Sequence, residues 1–287
     1  MPKVDVNKKR NDPNAQIDLE IFWQECVDLK SDRIINFTGD WDKDFGHVRY
    51  RYQDTKNDTI IPVGRLTDGK YGLFNLSIDL NLLAVGSALS GLGVFRRATL
   101  AHLTKTRTPE QLKIVIIDPI RSLSDFYNIP HLAIPRAITK EEVLEVLGWI
   151  LKENERRNKI CNEANNLLYV HNESVSEDKK EPRLLILVSE LGELGVEDAE
   201  IQDVFTNVLS LSRATEINMI LCTQQFSSMR LPSVILENIQ TKLAFQLPYK
   251  EVSKRLIGKA GAEKLTGQGD GLFTDGSQYW RLQGFHF

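Results

Sequence analysis

The stretch LLAVGSALSGLGVFRRATLAHLTK, residues 82–105, decides the fold. Its first four residues are apolar and have the length of a buried strand, whereas its last dozen have the composition of a helix. A turn rich in glycine and serine, residues 86–93, joins the two. In the order strand, turn, helix, backbone N–H groups and the positive end of the helix dipole converge on one point and hold an anion. The stretch therefore predicts a phosphate-binding loop within an α/β fold.

The loop matches only part of the nucleotide-binding motif GxxxxGK[ST]. Gly86 and Gly91 have the right spacing. In the complete motif, a lysine then reaches the β- and γ-phosphates and a hydroxyl ligates Mg²⁺. Leu92 and Gly93 stand at those two positions and can do neither. Leu89 replaces a residue that is usually small, so we expect it to crowd the anion. Taken alone, the octet also fits an ordinary turn between a strand and a helix.

Apolar, strand-length runs alternate with helical stretches from residue 71 onward. The runs after the loop are residues 114–117, 184–188, 219–222 and 243–245. The helical stretches are residues 94–105, 140–168, 198–212, 231–240 and 250–257. Near-continuous apolar strands separated by helices indicate a mainly parallel sheet with helices on both faces. A solvated loop at residues 171–182 and two β runs within residues 269–287, split by a turn at 274–277, complete this part.

The N-terminal part has a different pattern. Residues 1–16 are polar and contain no apolar run, so we predict a disordered leader or linker rather than a signal peptide. A short amphipathic helix is expected at residues 17–29, and short strands at 33–37, 48–52 and 60–66. We expect a single domain over residues 17–287, with residues 17–59 as an N-terminal extension of small β and helix elements.

Polar residues follow several of the apolar runs. Ser189 and Glu190 come after residues 184–188, where a nucleotide hydrolase of this type carries an aspartate for the magnesium shell and a glutamate for the attacking water. Thr223 and Gln224 follow the next run, at a position that often senses the γ-phosphate, although a plain polar strand end fits equally well. Asp118 ends another run. Carboxyl ends of parallel strands share one edge, so these residues are expected to lie together.

Bulk properties exclude several kinds of site. The net charge of −3 lacks the broad positive field of a protein that grips nucleic acid. An odd number of cysteines without a CxxC pair indicates buried thiols in a reducing compartment. The five histidines show no ligand spacing, so we assign no metal to them, and no apolar run approaches the ~18 residues of a membrane span. We expect core or interdomain packing for Trp23, Trp41, Trp149 and Trp280.

An ordered series of segments from about residue 60 to the end resembles the FtsK/SpoIIIE family, a RecA-like branch of the P-loop ATPases. IPVG at 61–64 and LLAVG at 82–86 begin the series. The family's IDPK…IPHL pattern is matched by IDP at 117–119 and NIPHL at 128–132. Its W…ERR pattern is matched by Trp149 and by ERR at 155–157. The family's GR..GIH pattern is matched by Arg213, and its ATQR pattern by TQ at 223–224. Its GAEKLLGRGDMLF pattern is matched by GAEKL…GQGD…LF at 261–273. Ile120, Gln225, residue 212 and residues 215–218 depart from these patterns.

Within the family, the chain is most similar to the last ATPase domain of the EssC/EccC coupling proteins of type VII secretion, on the basis of RLQG at 281–284 near its end. The resemblance implies a RecA-like P-loop fold in a soluble, cytoplasmic part of a bacterial cell-membrane protein. It implies three kinds of partner, namely other ATPase domains of the same polypeptide, secreted WXG-motif helical hairpins or other secretion substrates, and further copies in a hexamer. No nucleic acid partner is expected.

Three functional hypotheses follow. Leu92, Gly93 and Ser189 each remove a contact to phosphate or metal, which favours a non-hydrolysing binding and regulatory domain of a secretion motor. The second hypothesis is a working ATPase or DNA translocase-like motor, completed by another domain or by an arginine in place of the lysine. The third is a domain that binds ATP, with or without Mg²⁺, and does not cleave it, because the backbone nest could survive.

These patterns also predict the residues of the site. We predict no intact catalytic residue, and we interpret Glu190 and Ser189 as vestiges of the catalytic pair. The degenerate nucleotide site comprises Gly86, Ser87, Ser90, Gly91, Leu92, Gly93, Thr223 and Gln224. Arg96 and Arg97 are expected to face solvent or another domain, because they lie one helical turn beyond the loop. A substrate helix is expected to find an apolar groove if the loop leaves a dent around Leu89 and Leu92.

Overall fold

The apolar runs form the strands of one sheet. The structure, a computed structural model, describes residues 59–66, 71–195, 199–227, 231 and 233–284, with Glu200 and Val234 lacking a description of their side chains. The features expected at residues 1–16, 17–29, 33–37 and 48–52 lie outside these ranges. The strand expected at residues 60–66 is confirmed.

The elements alternate along the chain as the sequence predicts. The strands are β1 (Ile60–Leu66), β2 (Tyr71–Asn75), β3 (Leu82–Val85), β4 (Leu112–Ile117), β5 (Arg183–Val188), β6 (Ile217–Thr223), β7 (Thr241–Ala244), β8 (Asp270–Thr274) and β9 (Tyr279–Gln283). The α-helices are α1 (Leu92–Thr106), α2 (Lys140–Ala164), α3 (Leu168–Ser174), α4 (Ala199–Thr215), α5 (Ser233–Asn238) and α6 (Lys250–Ile257). Short 3-10 turns occur at Ser124–Phe126, Glu177–Lys179, Leu191–Glu193 and Ala262–Lys264.

The nine described strands are ordered β2-β1-β9-β8-β7-β3-β6-β5-β4. Five of them, from β7 to β4, pair in parallel. The other four extend the sheet by antiparallel pairing, in which β8 and β9 form the expected final hairpin. Strand β3, which carries the glycine-rich loop, lies between β7 and β6. The loop therefore emerges near the middle of the sheet.

The central strands are buried on both sides. Leu83 and Val85 of β3 pack into one core, together with apolar residues of α2, α4, α5 and α6. Leu82 and Ala84 pack into a second core, with residues of α1 and β1. Alternate residues of a strand point to opposite faces of the sheet, which explains the uninterrupted apolar runs. The predicted mainly parallel sheet with helices on both faces is confirmed.

The long helix predicted at residues 140–168 is wrong at its end. A capping box formed by Thr139 and Glu142 starts α2, as such a pair should. The helix ends at Ala164 because Asn165 adopts the left-handed conformation, with φ of 49°. A separate helix, α3, then follows. The expected loop at residues 171–182 is accordingly helical in its first four residues, and the 3-10 turn lies within it.

Further expectations concern packing. Trp149 and Trp280 are partly buried against the two cores, as expected, and Cys161 and Cys222 are buried free thiols. Burial raises the pKa of the Cys222 thiol to about 12. Within the described ranges, no helix combines the length and the apolar character that crossing a membrane requires.

Candidate functional site

The glycine-rich loop has the geometry of an anion nest. It leaves β3 at Val85 and enters α1 at Leu92. Leu89 has φ of 62° and Gly91 has φ of 122°, so the chain alternates between right- and left-handed regions as it turns. No side chain caps the start of α1. The backbone N–H groups of Gly91, Leu92 and Gly93 donate to no acceptor in the part of the chain that the structure describes, so they are available to an anion.

The C-terminal hairpin holds this loop in place. The Gly269 N–H donates to the Ser90 carbonyl at 2.7 Å, and the Gly284 N–H donates to the Gly269 carbonyl at 2.7 Å. A Cβ on Gly91 would lie 2.7 Å from both the nitrogen and the Cα of Gly269, which is closer than real atoms approach. On the other side, the Ser87 N–H donates to the Gln246 carbonyl at 2.8 Å. The GQGD segment around Gly269 therefore supports the loop from the neighbouring strands.

The two leucines of the loop do not behave as expected. Leu89 is 97% exposed, so its side chain leaves the nest open and does not crowd it. Leu92 is buried in the core beneath α1, next to Phe95 and Leu100 in the same apolar cluster. Because one side chain faces solvent and the other belongs to the core, the two do not line a common groove. The expected apolar dent around Leu89 and Leu92 is therefore wrong.

Ser189 turns away from the loop. Its Oγ donates to Asp118 Oδ1 at 2.5 Å, and both residues are fully buried. Asp118 also accepts hydrogen bonds from the Ser122 hydroxyl, the Leu123 N–H and the Tyr127 hydroxyl. Burial, and then this bond to the carboxylate, raise the pKa of Tyr127 far above its ordinary value. Ser189 occupies the position at which an active P-loop ATPase has the aspartate that binds Mg²⁺. Its hydroxyl is instead hydrogen-bonded to Asp118 at the end of the neighbouring strand β4.

Glu190 is also fully engaged, although a lone glutamate at a strand end is usually solvated. It is buried, and its Oε1 accepts from the Thr223 hydroxyl and, at 3.3 Å, from the Gly192 N–H. Its Oε2 accepts from the Gln224 N–H at 2.8 Å. The structure therefore brings Glu190, Thr223 and Gln224 together, as the sequence predicts. Both carboxylate oxygens have protein donors.

Arg96 is the residue whose position the sequence prediction missed. We expected an exposed pair of arginines, and this is wrong for Arg96, which is only 2% exposed. Its Nη1 donates to the Ser189 carbonyl, and its Nη2 lies 3.7 Å from the position of a Cβ on Gly93. Side chains on a helix lean toward its N-terminus, so residue 96 reaches back beside residue 93. Arg97 instead forms an ion pair with Asp125 at the partly exposed surface.

The residues present do not fit a magnesium ion in the usual place. A P-loop site holds the ion between the hydroxyl after the lysine position and the aspartate at the strand end. Here Gly93 offers no oxygen, the Ser189 hydroxyl is bound to Asp118, and the Arg96 guanidinium lies between the two positions. Within the described residues, no cluster of three or more His, Cys, Asp or Glu side chains is placed to hold a metal.

The site thus contains the predicted residues and two more. Gly86, Ser87, Ser90, Gly91, Leu92 and Gly93 form the loop, and Ser189, Glu190, Thr223 and Gln224 lie at the carboxyl ends of β5 and β6 on the same edge of the sheet. The two are Asp118, which was expected at this edge of the sheet without a role in the nucleotide site, and Arg96, which was expected to point away from it. The position of Asp118 at the end of an apolar run signalled the first. The spacing of three residues from Gly93 to Arg96, on one face of a helix, could have signalled the second.

The model of the FtsK/SpoIIIE family matches residues 49–241. The chain belongs to the FtsK/SpoIIIE family. Among curated FtsK/SpoIIIE relatives, the DNA translocase FtsK of Tropheryma whipplei is 31% identical over 227 residues, which is 74% of this chain. FtsK of Streptococcus pyogenes serotype M3 is 31% identical over 237 residues, 78% of this chain. The chain spans about 30% of the length of these relatives.

Solved structures of a conjugation coupling protein and of ATPases share the fold. The pCW3 conjugation coupling protein TcpA with ATPγS aligns with a TM-score of 0.71 at 20% identity, covering 81% of this chain and 67% of that one. The cytoplasmic domain of the type VII secretion ATPase EccC of Thermomonospora curvata gives 0.70 at 19% identity, with 80% and 29% covered. ATPases 2 and 3 of EssC from Geobacillus thermodenitrificans give 0.63 at 18% identity, with 79% and 44% covered. These likenesses confirm the P-loop ATPase fold.

Proposed function

We propose that this FtsK/SpoIIIE domain is a catalytically degenerate ATPase module of a membrane-anchored type VII secretion motor, where it acts in substrate recognition and in the regulation of protein export. One observation carries the loss of hydrolysis: the space between residues 93 and 189, where the motors hold Mg²⁺, contains the Arg96 guanidinium. Catalysis of phosphoryl transfer depends on electrostatic positioning of phosphate and metal, so losing the lysine and both metal contacts lowers the rate by orders of magnitude.

The state of Glu190 supports the same proposal. A general base must present a carboxylate lone pair to the attacking water. The carboxylate of Glu190 instead accepts hydrogen bonds from Thr223, Gln224 and Gly192, and it is buried. These bonds hold the strand ends of β5 and β6 together. In our proposal, Glu190 has kept its position in the fold and has a structural role.

Two observations support secretion rather than DNA translocation. One of the structures with the same fold is described as the type VII secretion ATPase EccC, and another EccC structure is described as a complex with a signal sequence peptide. The net charge of −3 lacks the positive field that contacts to a phosphate backbone require. The curated relatives are DNA translocases, so a motor of that kind is the competing function.

The proposal includes an assembly. This chain covers only 30% of the length of the first relative, and the EssC and EccC structures contain ATPases numbered 2 and 3. We propose that residues 17–287 form one such domain behind a linker at residues 1–16. Its partners are then other ATPase domains of the same polypeptide, copies in a hexamer, and secreted WXG-motif helical hairpins or other cargo. The domain would lie on the cytoplasmic side of the cell membrane.

A binding experiment separates secretion from DNA translocation. The purified chain is immobilised and presented in parallel with a secreted WXG-motif hairpin protein, the same protein lacking its signal sequence, and a 40-base-pair DNA duplex, at several salt concentrations. The proposal predicts retention of the intact hairpin and loss of retention without the signal. Salt-sensitive retention of DNA, with no retention of the hairpin by this domain or by the tandem protein, contradicts it.

Nucleotide binding without cleavage is the second candidate, and one observation favours it. The N–H groups of residues 91–93 still converge at the start of α1 without a protein acceptor in the described ranges. Such a nest holds phosphate through backbone groups alone, independently of the missing lysine. Binding and cleavage are therefore separate questions for this loop, and each requires its own measurement.

A further inference from the structure

The environment of Arg96 is unusual for an arginine. The side chain is buried, yet it forms no ion pair within the part of the chain that the structure describes. Its Nη1 donates to the Ser189 carbonyl, and its Nε has no hydrogen-bond partner there. A buried, charged donor without a partner costs free energy, so its presence calls for an explanation. The missing partner of such a group is an anion.

The position of the guanidinium supplies that explanation. It lies between the Ser189 carbonyl and the first turn of α1, where Nη2 is 3.7 Å from the Cβ position of Gly93. Residues 93 and 189 stand where the family motif places its magnesium contacts, so the guanidinium lies where the divalent cation would be. We infer that Arg96 replaces the divalent cation in this site and that the loop binds a phosphate chain without Mg²⁺.

Two further features of the loop fit a phosphate ligand. The N–H groups of Gly91, Leu92 and Gly93 have no acceptor within the described ranges, and they lie on the turn of α1 beside which the guanidinium packs. The Ser90 hydroxyl is also buried beneath the loop without a hydrogen-bond partner. Backbone N–H groups, a helix N-terminus and a planar guanidinium are the donors that proteins use for phosphate.

The neighbouring carboxylates of Glu190 and Asp118 form no ion pair with Arg96 among the described residues, and their hydrogen bonds go to other groups. Glu190 accepts from Thr223, Gln224 and Gly192, and Asp118 accepts from Ser122, Leu123, Tyr127 and Ser189. A divalent cation brought to the same place would meet a fixed positive charge at close range. Mg²⁺ bound to the phosphates is therefore expected to weaken binding or leave it unchanged, which is the reverse of its role in a working P-loop site.

Isothermal titration of the purified chain with ATPγS and with pyrophosphate, each in 5 mM EDTA and in 5 mM MgCl₂, tests the inference. The two ligands distinguish a nucleotide site from a site for free phosphate compounds. We expect binding in EDTA at least as tight as in Mg²⁺ for one or both ligands. Arg96→Met should weaken binding in EDTA about 10- to 100-fold, since it removes charge-assisted hydrogen bonds. Arg97→Gln, which changes the neighbouring arginine, should stay within about twofold of the unmodified chain.

Three results would overturn the inference: Mg²⁺ tightening ATPγS binding tenfold or more, no binding of either ligand up to millimolar concentration, or unchanged binding by a folded Arg96→Met. The EDTA and Mg²⁺ comparison uses the unmodified chain, so it decides the matter even if Arg96→Met unfolds. The inference rests on the degenerate site in the proposed function and not on the secretion role. Failure of the hairpin pull-down would remove that role and leave the metal-free binding result standing.

Discussion

Gly91 and Gly93 stand two residues apart at the start of α1, but a side chain at each position would meet different surroundings. A Cβ on Gly91 would overlap the backbone of Gly269, and its φ of 122° disfavours any other residue. A Cβ on Gly93 would meet only Arg96 Nη2, at an ordinary 3.7 Å. Alanine at position 91 therefore tests the packing of the loop against Gly269, whereas alanine at position 93 tests only the start of the helix.

Gly91→Ala should lower the free energy of unfolding by at least about 2 kcal/mol, because it adds backbone strain and separates the loop from the C-terminal hairpin. Gly93→Ala should stay within about 1 kcal/mol of the unmodified chain, with a small gain from its higher helix propensity. Urea unfolding followed by circular dichroism measures both. Equal effects of the two substitutions would show that the contact with Gly269 does not hold the loop.

At the residue scale, the lost contacts were identified from the motif, and an arginine in place of the lysine was one hypothesis, but Arg96 was expected to face solvent or another domain. The missing lysine, hydroxyl and aspartate are visible from the motif at Leu92, Gly93 and Ser189. Which buried group fills the space they leave depends on the direction of one side chain. Arg96 is polar and lies beyond the motif, so its charge suggests exposure, whereas the helix geometry carries it back beside Gly93. An arginine is buried only where acceptors are available to it, and the acceptor of Arg96 is the carbonyl of Ser189, which is distant in sequence.

At the element scale, Arg157 joins three elements. It is buried on α2, where its Nε donates to Glu153 at 2.7 Å. Its Nη1 donates to the carbonyl of Thr215 at the end of α4, and its Nη2 to that of Pro182 just before β5. The adjacent Arg156 is 46% exposed and pairs with Glu153 and Glu181 at the surface. The ERR segment thus combines an internal bridge with a surface ion pair.

Arg157→Met should lower the free energy of unfolding by about 3 kcal/mol, because two buried carbonyls lose their donor. Arg156→Met should cost less than about 1 kcal/mol, since exposed ion pairs contribute little. Differential scanning calorimetry of the two variants measures the difference. If both lower the melting temperature by the same amount, Arg157 is not the bridge between α2, α4 and β5.

The elements themselves were largely predictable. Strands buried on both faces read as continuous apolar runs, so β3 to β7 were found in order, and the helices between them follow from the alternation. The break of the long helix was missed because an asparagine, which can adopt the left-handed conformation, does not have to do so. Strand β2 was missed because YGLFN is short, includes a glycine and an asparagine, and pairs at the outer edge of the sheet, beside β1.

At the scale of the whole molecule, one buried histidine makes stability depend on pH. His102 of α1 is fully buried, with its Nε2 3.1 Å from the Ile60 carbonyl of β1. Burial lowers its pKa from 6.5 to about 4. Between these two values, the unfolded chain binds a proton that the folded chain does not, so acid favours unfolding. The stabilisation is complete above about pH 6.5 and is lost by about pH 4.

His102→Gln should therefore reduce the fall in the free energy of unfolding between pH 6.5 and 4 by about 3 kcal/mol, whatever its effect at neutral pH. Urea titrations at half-unit steps of pH give the slope for each protein. His171→Gln, on helix α3, is the matched control and should follow the unmodified chain. A slope unaltered by His102→Gln would show that this histidine does not remain neutral in the fold.

At the scale of the whole domain, we propose an FtsK/SpoIIIE fold that has kept its phosphate loop and lost hydrolysis. The direct test is release of phosphate from ATP with Mg²⁺ by the unmodified chain, by Glu190→Gln and by the full-length protein with its other ATPase domains inactivated. We predict that the unmodified chain and Glu190→Gln are indistinguishable from the background, in both contexts. Steady turnover by the unmodified chain that Glu190→Gln reduces tenfold or more would contradict the account.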